Sequence, residues 1–234
     1  MNSLSNLFSL HTLIGLHLVI KTSQAAVAFA VSYWVYVTTD SASASAMALF
    51  ARLAPSILLS LYSGWISDSR SPTRLYSSAL LGQCGCSAAL ATYLALSNSE
   101  VWVLLVLIAA SSVVDSFTHA GYLRLALRAI RSDDPNKSVL NGRVSLPDSS
   151  APLVGPVLAA VGLQFGGLPA VFAADAAICV AAAVFLLSGP ARSLPGGTGA
   201  VGIAVSPWAG FEAIWRNPRL RSLQLLFSTQ NVCV

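Results

Sequence analysis

The chain of 234 residues is 9% charged and 55% hydrophobic, with a net charge of +4 and a mean hydropathy of +0.70. A soluble domain carries about 25% charged residues, so there is too little charge here to coat a water-facing globule. The positive balance does not point to nucleic acid, because the basic residues fall in clusters between apolar stretches.

Those stretches run near the ~20 residues that cross a ~30 Å hydrocarbon core as helix. They fall at about 12–37, 43–66, 75–96, 101–123, 144–164 and 169–188. A helix satisfies its backbone within one segment, and long unbroken apolar runs do not suit a barrel strand. The expected fold is therefore an all-α membrane protein, with residues 1–188 forming a six-span bundle. Residues 1–10 lack a basic start and a small-residue cleavage site, so the first span should act as its own insertion signal. A Gly/Pro/Ser-rich linker is expected over 189–219, and the stretch Trp208 to Pro218 within it has the aromatic and basic character of an interfacial helix. A further apolar run over 220–234 reads as the start of a seventh span, as in the front half of something longer.

Orientation follows from the basic residues. With the N-terminus inside, Arg70, Arg74, Arg124, Arg128, Arg131, Lys137, Arg143, Arg192, Arg216, Arg219 and Arg221 all face the cytoplasm. The connections around Thr39–Ser43, Ser97–Glu100 and Phe165–Leu168 hold no Lys or Arg. That asymmetry predicts a cytoplasmic N-terminus and short outer turns. The expected location is the plasma membrane, the inner membrane in a bacterium.

The loop after the second span reads Gly64-Trp-Ile-Ser-Asp68-Ser-Arg70-Ser-Pro72-Thr-Arg74. Gly64 would let this end of the span approach a neighbouring helix closely, Asp68 can face a helix N-terminus, and Arg70 and Arg74 can make ion pairs. The loop resembles the Gly-x-x-x-Asp-Arg-x-Gly-Arg-Arg signature of the major facilitator superfamily, with Ser69 and Ser71 departing from it. In that family the loop latches the outward-facing state. The fifth span holds Ala151-x-x-x-Gly155-Pro156-x-x-Ala159-Ala160. Small residues four apart give a flat helix face for close packing, and Pro156 removes one backbone donor. The stretch is similar to the antiporter motif of the same superfamily, which marks proton-exchanging exporters, and helix packing alone is the competing reading. The segment Ile214 to Arg221 and the absence of a mid-helix Arg in the fourth span resemble the macrolide-efflux and enterobactin-exporter branch. The resemblance implies the N-terminal half of a twelve-helix secondary transporter. It implies alternating access, a small-molecule substrate, protons as coupling ion, membrane lipid around the helices and a C-terminal half as partner.

Ionisable groups inside spans cost at least ~2.5–3.5 kcal/mol each when central, so they persist for pairing or function. Lys21 in span one, Arg52 in span two and Asp115 in span four lie near mid-depth. One reading makes Asp115 a proton carrier, with Lys21 and Arg52 biasing the cavity positive toward anionic or zwitterionic solutes. The other is a structural ion pair between spans, or snorkelling of the two cations. Asp148 is expected to pair with Arg143, Asp175 has no assigned role, and His119 suits packing better than ligation. His11 and His17 share no metal-ligand spacing, and Cys84, Cys86, Cys179 and Cys233 read as membrane-buried hydrophobes. No metal or cofactor is expected. An intramembrane enzyme would need a nucleophile paired with His, paired metal-binding acids or a His-Glu-x-x-His helix, none of which is present. A six-span scaffold or oligomeric channel is the alternative, though no selectivity-filter loop is visible.

Overall fold

The computed structural model describes residues 2–69, 71–96, 100–130 and 136–188, with positions 212, 215–218 and 222 beyond them. Six helical elements follow in order: α1 (Asn2–Thr39), α2 (Ala42–Ser69), α3 (Pro72–Leu96), α4 (Val101–Ala129), α5 (Lys137–Val144) and α6 (Leu146–Leu187). There is no strand among the described residues. All but α5 are long and apolar enough to cross a membrane, giving five such segments rather than the six separate spans expected.

The difference lies in α6, which takes in the expected fifth and sixth spans. It is two helices merged across a break at Gly167, whose φ of 67° and ψ of −168° suit glycine alone. The chain reverses there: a methyl group built on Gly162 would fall 2.9 Å from a Val171 methyl, a contact that nine residues of straight helix would put out of reach. Gly166-Gly167 followed by Pro169 supplies a helix stop with a proline that cannot continue the preceding turn. A second tight connection joins α1 to α2, where Asp40 takes a positive φ of 47° and the Ser41 hydroxyl accepts a bond from the Ala44 amide at 3.3 Å.

Helix ends also differ from the hydropathy boundaries. α1 begins about ten residues earlier and α4 runs on to Ala129, because hydropathy marks where lipid ends and helices continue past it. The short α5, unforeseen in the inner connection, buries Leu140 and Val144 one turn apart.

Helix α1 is the centre of the bundle. Both legs of α6 pack on it: Gly155 of the first leg lies against Ala25 and Ala26, and Asp175 of the second accepts a bond from Ser23 at 2.8 Å. Lipid supplies no hydrophobic drive between helices, so such close backbone approach and polar links carry the packing. Two apolar clusters result. One joins Leu10 to Ile20 with Tyr76, Leu80, Tyr122, Leu125, Cys179 and Leu186. The other joins Ala26 to Val35 with Leu90, Leu104, Ile108, Leu168 and Phe172. Between them lies a layer of buried polar side chains: Ser23, Gln24, Gln83, Ser87, Ser111, Ser112 and Asp175. The outer faces carry exposed Phe50, Leu58, Leu96, Trp102 and Phe165, the surface expected against lipid.

The linker and the start of a seventh span lie outside the described residues, save for isolated positions. There Arg216 reaches Glu212 at 2.8 Å, one helical turn away.

Candidate functional site: a charged cavity between four helices

Lys21 and Asp115 meet from facing helices. Lys21 Nζ lies 3.2 Å from Asp115 Oδ1 and 3.5 Å from Oδ2, with the side chains 15% and 24% exposed. Each head thus keeps contact with open space while its partner offsets part of the desolvation. Lys21 does not reach for an interface. Its partner lies at mid-helix.

The pair lines a cavity of about 720 Å³ formed by α1, α2, α4 and the start of α6. Ser56, Ser63, Gly64 and Ser67 line it from α2, and Ser116, His119 and Arg124 from α4, with Asp148 closing one side. The described lining therefore carries Lys21 and Arg124 against Asp115 and Asp148, so the expected positive bias is balanced. Arg52 does not line this cavity. Its carbonyl accepts a bond from the Ser112 hydroxyl, and its guanidinium forms no ion pair among the described residues.

The signature loop is divided. Gly64 faces the cavity, and among the described residues nothing lies within 4 Å of an added methyl group. Arg74 is exposed at the start of α3. Asp68 belongs to the last turn of α2, and its side chain, like Arg70 as a whole, lies outside the described residues.

The small-residue face of α6 is a helix crossing. A methyl group on Gly155 would fall 2.6 Å from Ala25 Cβ and 2.8 Å from its carbonyl carbon. Ala151 and Ala159, one turn to either side, are buried on the same face, while Pro156 is half-buried and Ala160 exposed. Gly121 makes a similar contact that the sequence did not reveal: a methyl group there would sit 3.0 Å from Tyr76 Cα, where α4 crosses α3.

Several polar residues pair differently from expectation. Asp148 turns to His119, 3.8 Å from its Nδ1, whereas Arg143 meets His11 Nε2 at 2.9 Å. The helix break between α5 and α6 separates Asp148 from Arg143, so adjacency in sequence does not give contact. Asp175 is fully buried and held by Ser23 at 2.8 Å and Ser87 at 2.6 Å. His17 is fully buried, with Nδ1 2.9 Å from the Tyr76 hydroxyl and its ring stacked on Tyr122 at 3.5 Å. Cys84 and Cys86 are half-buried, Cys179 is buried, and Cys233 lies outside the described residues.

Residues 13–233 match the model of the Major Facilitator Superfamily. The chain belongs to that family, whose members are multi-pass membrane transporters acting on small molecules rather than enzymes. A comparison with curated proteins finds no match.

Proposed function

We propose that the chain supplies one half of a proton-coupled exporter working by alternating access, with Asp115 as the proton-carrying group and Lys21 as its counter-ion. The observation that carries this reading is the Lys21–Asp115 pair, placed at mid-helix and open to the cavity. A carboxylate that gains a proton releases its lysine, and a released lysine changes what the cavity holds. Binding and protonation can then exclude each other, as an antiporter requires. The balanced lining suits a zwitterionic or neutral polar solute better than a bare cation.

On this reading α6 crosses the membrane twice, giving six spans, and residues beyond 189 lead through a linker to a second bundle. The cytoplasmic N-terminus, the plasma membrane and the macrolide-efflux and enterobactin-exporter branch belong to the same proposal. They are supported by the one-sided basic residues and by the 214–221 segment. Reporter tags in the Ser97–Glu100 turn and the Arg131–Lys137 segment should report from opposite faces, and tags on one face would overturn the topology.

The transport test uses inside-out vesicles bearing the exporter with both its halves, energised to an acid interior and followed with a fluorescent weak base. Cationic, zwitterionic and anionic solutes are added in turn. A zwitterionic or neutral solute should discharge the gradient, and Asp115→Asn should lower that rate at least tenfold. Equal discharge by the variant would remove Asp115 from the coupling path.

A further inference from the structure

Lys21 and Asp115 are one rung of a ladder. α1 and α4 run antiparallel, so one turn along the same faces His17 comes opposite His119, with ring centroids 6.4 Å apart. Asp148, in the first turn of α6, completes a triangle. One ligand atom from each of the three side chains lies within 4.8 Å of the other two.

Two of those atoms are buried without a partner. Among the described residues His17 Nε2 and His119 Nδ1 find no hydrogen bond, and 3.8 Å to Asp148 is too long to be one. Leaving a buried polar atom unmet is costly, and two such atoms in one cluster point to a missing ligand. The His17 ring is held for that role. With Nδ1–H given to the Tyr76 hydroxyl, Nε2 presents its lone pair, and the stack on Tyr122 fixes the ring plane. Tyr122 is anchored in turn, donating to the Val144 carbonyl at 2.9 Å.

Two imidazoles, which are borderline donors, joined by one hard carboxylate suit zinc and neighbouring divalent transition metals better than magnesium or calcium. Metal–ligand bonds of ~2.0–2.2 Å place donors roughly 3.3–4.2 Å apart. The His119–Asp148 separation already fits, and rotamer adjustment of these two exposed side chains can close the distance to His17 Nε2. His119 and Asp148, 44% and 41% exposed, connect the triangle to the cavity, which leaves a route in and coordination positions for water. Lys21, the cation that could compete for Asp148, is engaged by Asp115.

We propose that His17, His119 and Asp148 bind one divalent transition-metal ion of the zinc class, bridging α1, α4 and α6 at the cavity wall. The inference rests on these three side chains and does not depend on the coupling ion. The test is a zinc titration of the full chain, purified in detergent and stripped with chelator, against a chromophoric zinc indicator. One zinc per chain is expected to compete. His119→Ala and Asp148→Asn, both at the cavity surface, should each weaken it at least tenfold, while His11→Ala and Cys84→Ser leave it unchanged. Cobalt in place of zinc should give a visible spectrum of nitrogen and oxygen ligation that His119→Ala abolishes. Size-exclusion profiles of the variants separate lost ligation from lost folding. Zinc that binds equally to the His119→Ala/Asp148→Asn double variant, a cobalt spectrum with a thiolate band, or no bound zinc at all would overturn the site.

Discussion

Asp115 and Asp175 are both acids in the middle of apolar helices, yet their surroundings are opposite. Asp115 meets a lysine and opens onto a cavity. Asp175 is sealed against α1 and α3, where it accepts bonds from two neutral hydroxyls, Ser23 and Ser87. An acid held by a movable cation and exposed to water can change its charge during a cycle. An acid held by two hydroxyls across three helices is placed to fix their register. On the proposed reading of Asp115, the contrast separates a working group from a structural one more sharply than the presence of charge inside a span does.

The largest stability effect should come from breaking the sealed side. Asp175→Ala leaves two serine donors unmet and is expected to cost about 3 kcal/mol, read as a lower melting temperature in detergent with proportionate loss of folded protein. Asp175→Asn keeps an acceptor for one serine and turns an NH2 donor to the other, whose hydroxyl can accept, so it should recover most of that loss, while an equal loss would contradict a hydrogen-bonding role. On the open side the contrast predicts coupling. Lys21→Met leaves Asp115 without its cation, and adding Asp115→Asn should restore stability, giving a double-mutant coupling of about 1–2 kcal/mol. Additive effects would show that the two side chains do not sense one another. Ser87→Ala removes one of two bonds and should cost about 1 kcal/mol, within the range of membrane hydrogen bonds. The smallest effect belongs to Gly64→Ala, which points into open space and should change melting by less than about 0.5 kcal/mol. Any shift beyond that should be a gain, from the helix preference of alanine, and a loss of stability would place a close neighbour at Gly64 after all.

Much of the fold was legible because lipid imposes a simple requirement. Long apolar runs must be helices, and Gly166-Gly167 before Pro169 marks where one must end. The Lys21–Asp115 pair was legible for a related reason, since a charge within a span demands a partner and few were on offer. The rotation of each helix about its own axis was hidden. All-round apolar segments have no polar stripe to fix it, so nothing told which way Gly64 faced or that Arg52 would miss the cavity. The cluster of His17, His119 and Asp148 was invisible for the same reason, because its members come from three helices and no local spacing joins them. The partners of Asp175 were silent too, since serines are unremarkable in membrane helices until a carboxylate is found between them.

The crossing of Ala25 over Gly155 has a mechanical consequence. Its groove is one residue long, because Ala151 and Ala159 fill the positions a turn away with methyl groups. Sliding either helix by a turn, about 5.4 Å, would seat Ala25 over a methyl instead of a hydrogen. The joint therefore works like a detent with a single notch: it tolerates slight pivoting, resists ratcheting, and passes force applied to α1 straight into the first leg of α6.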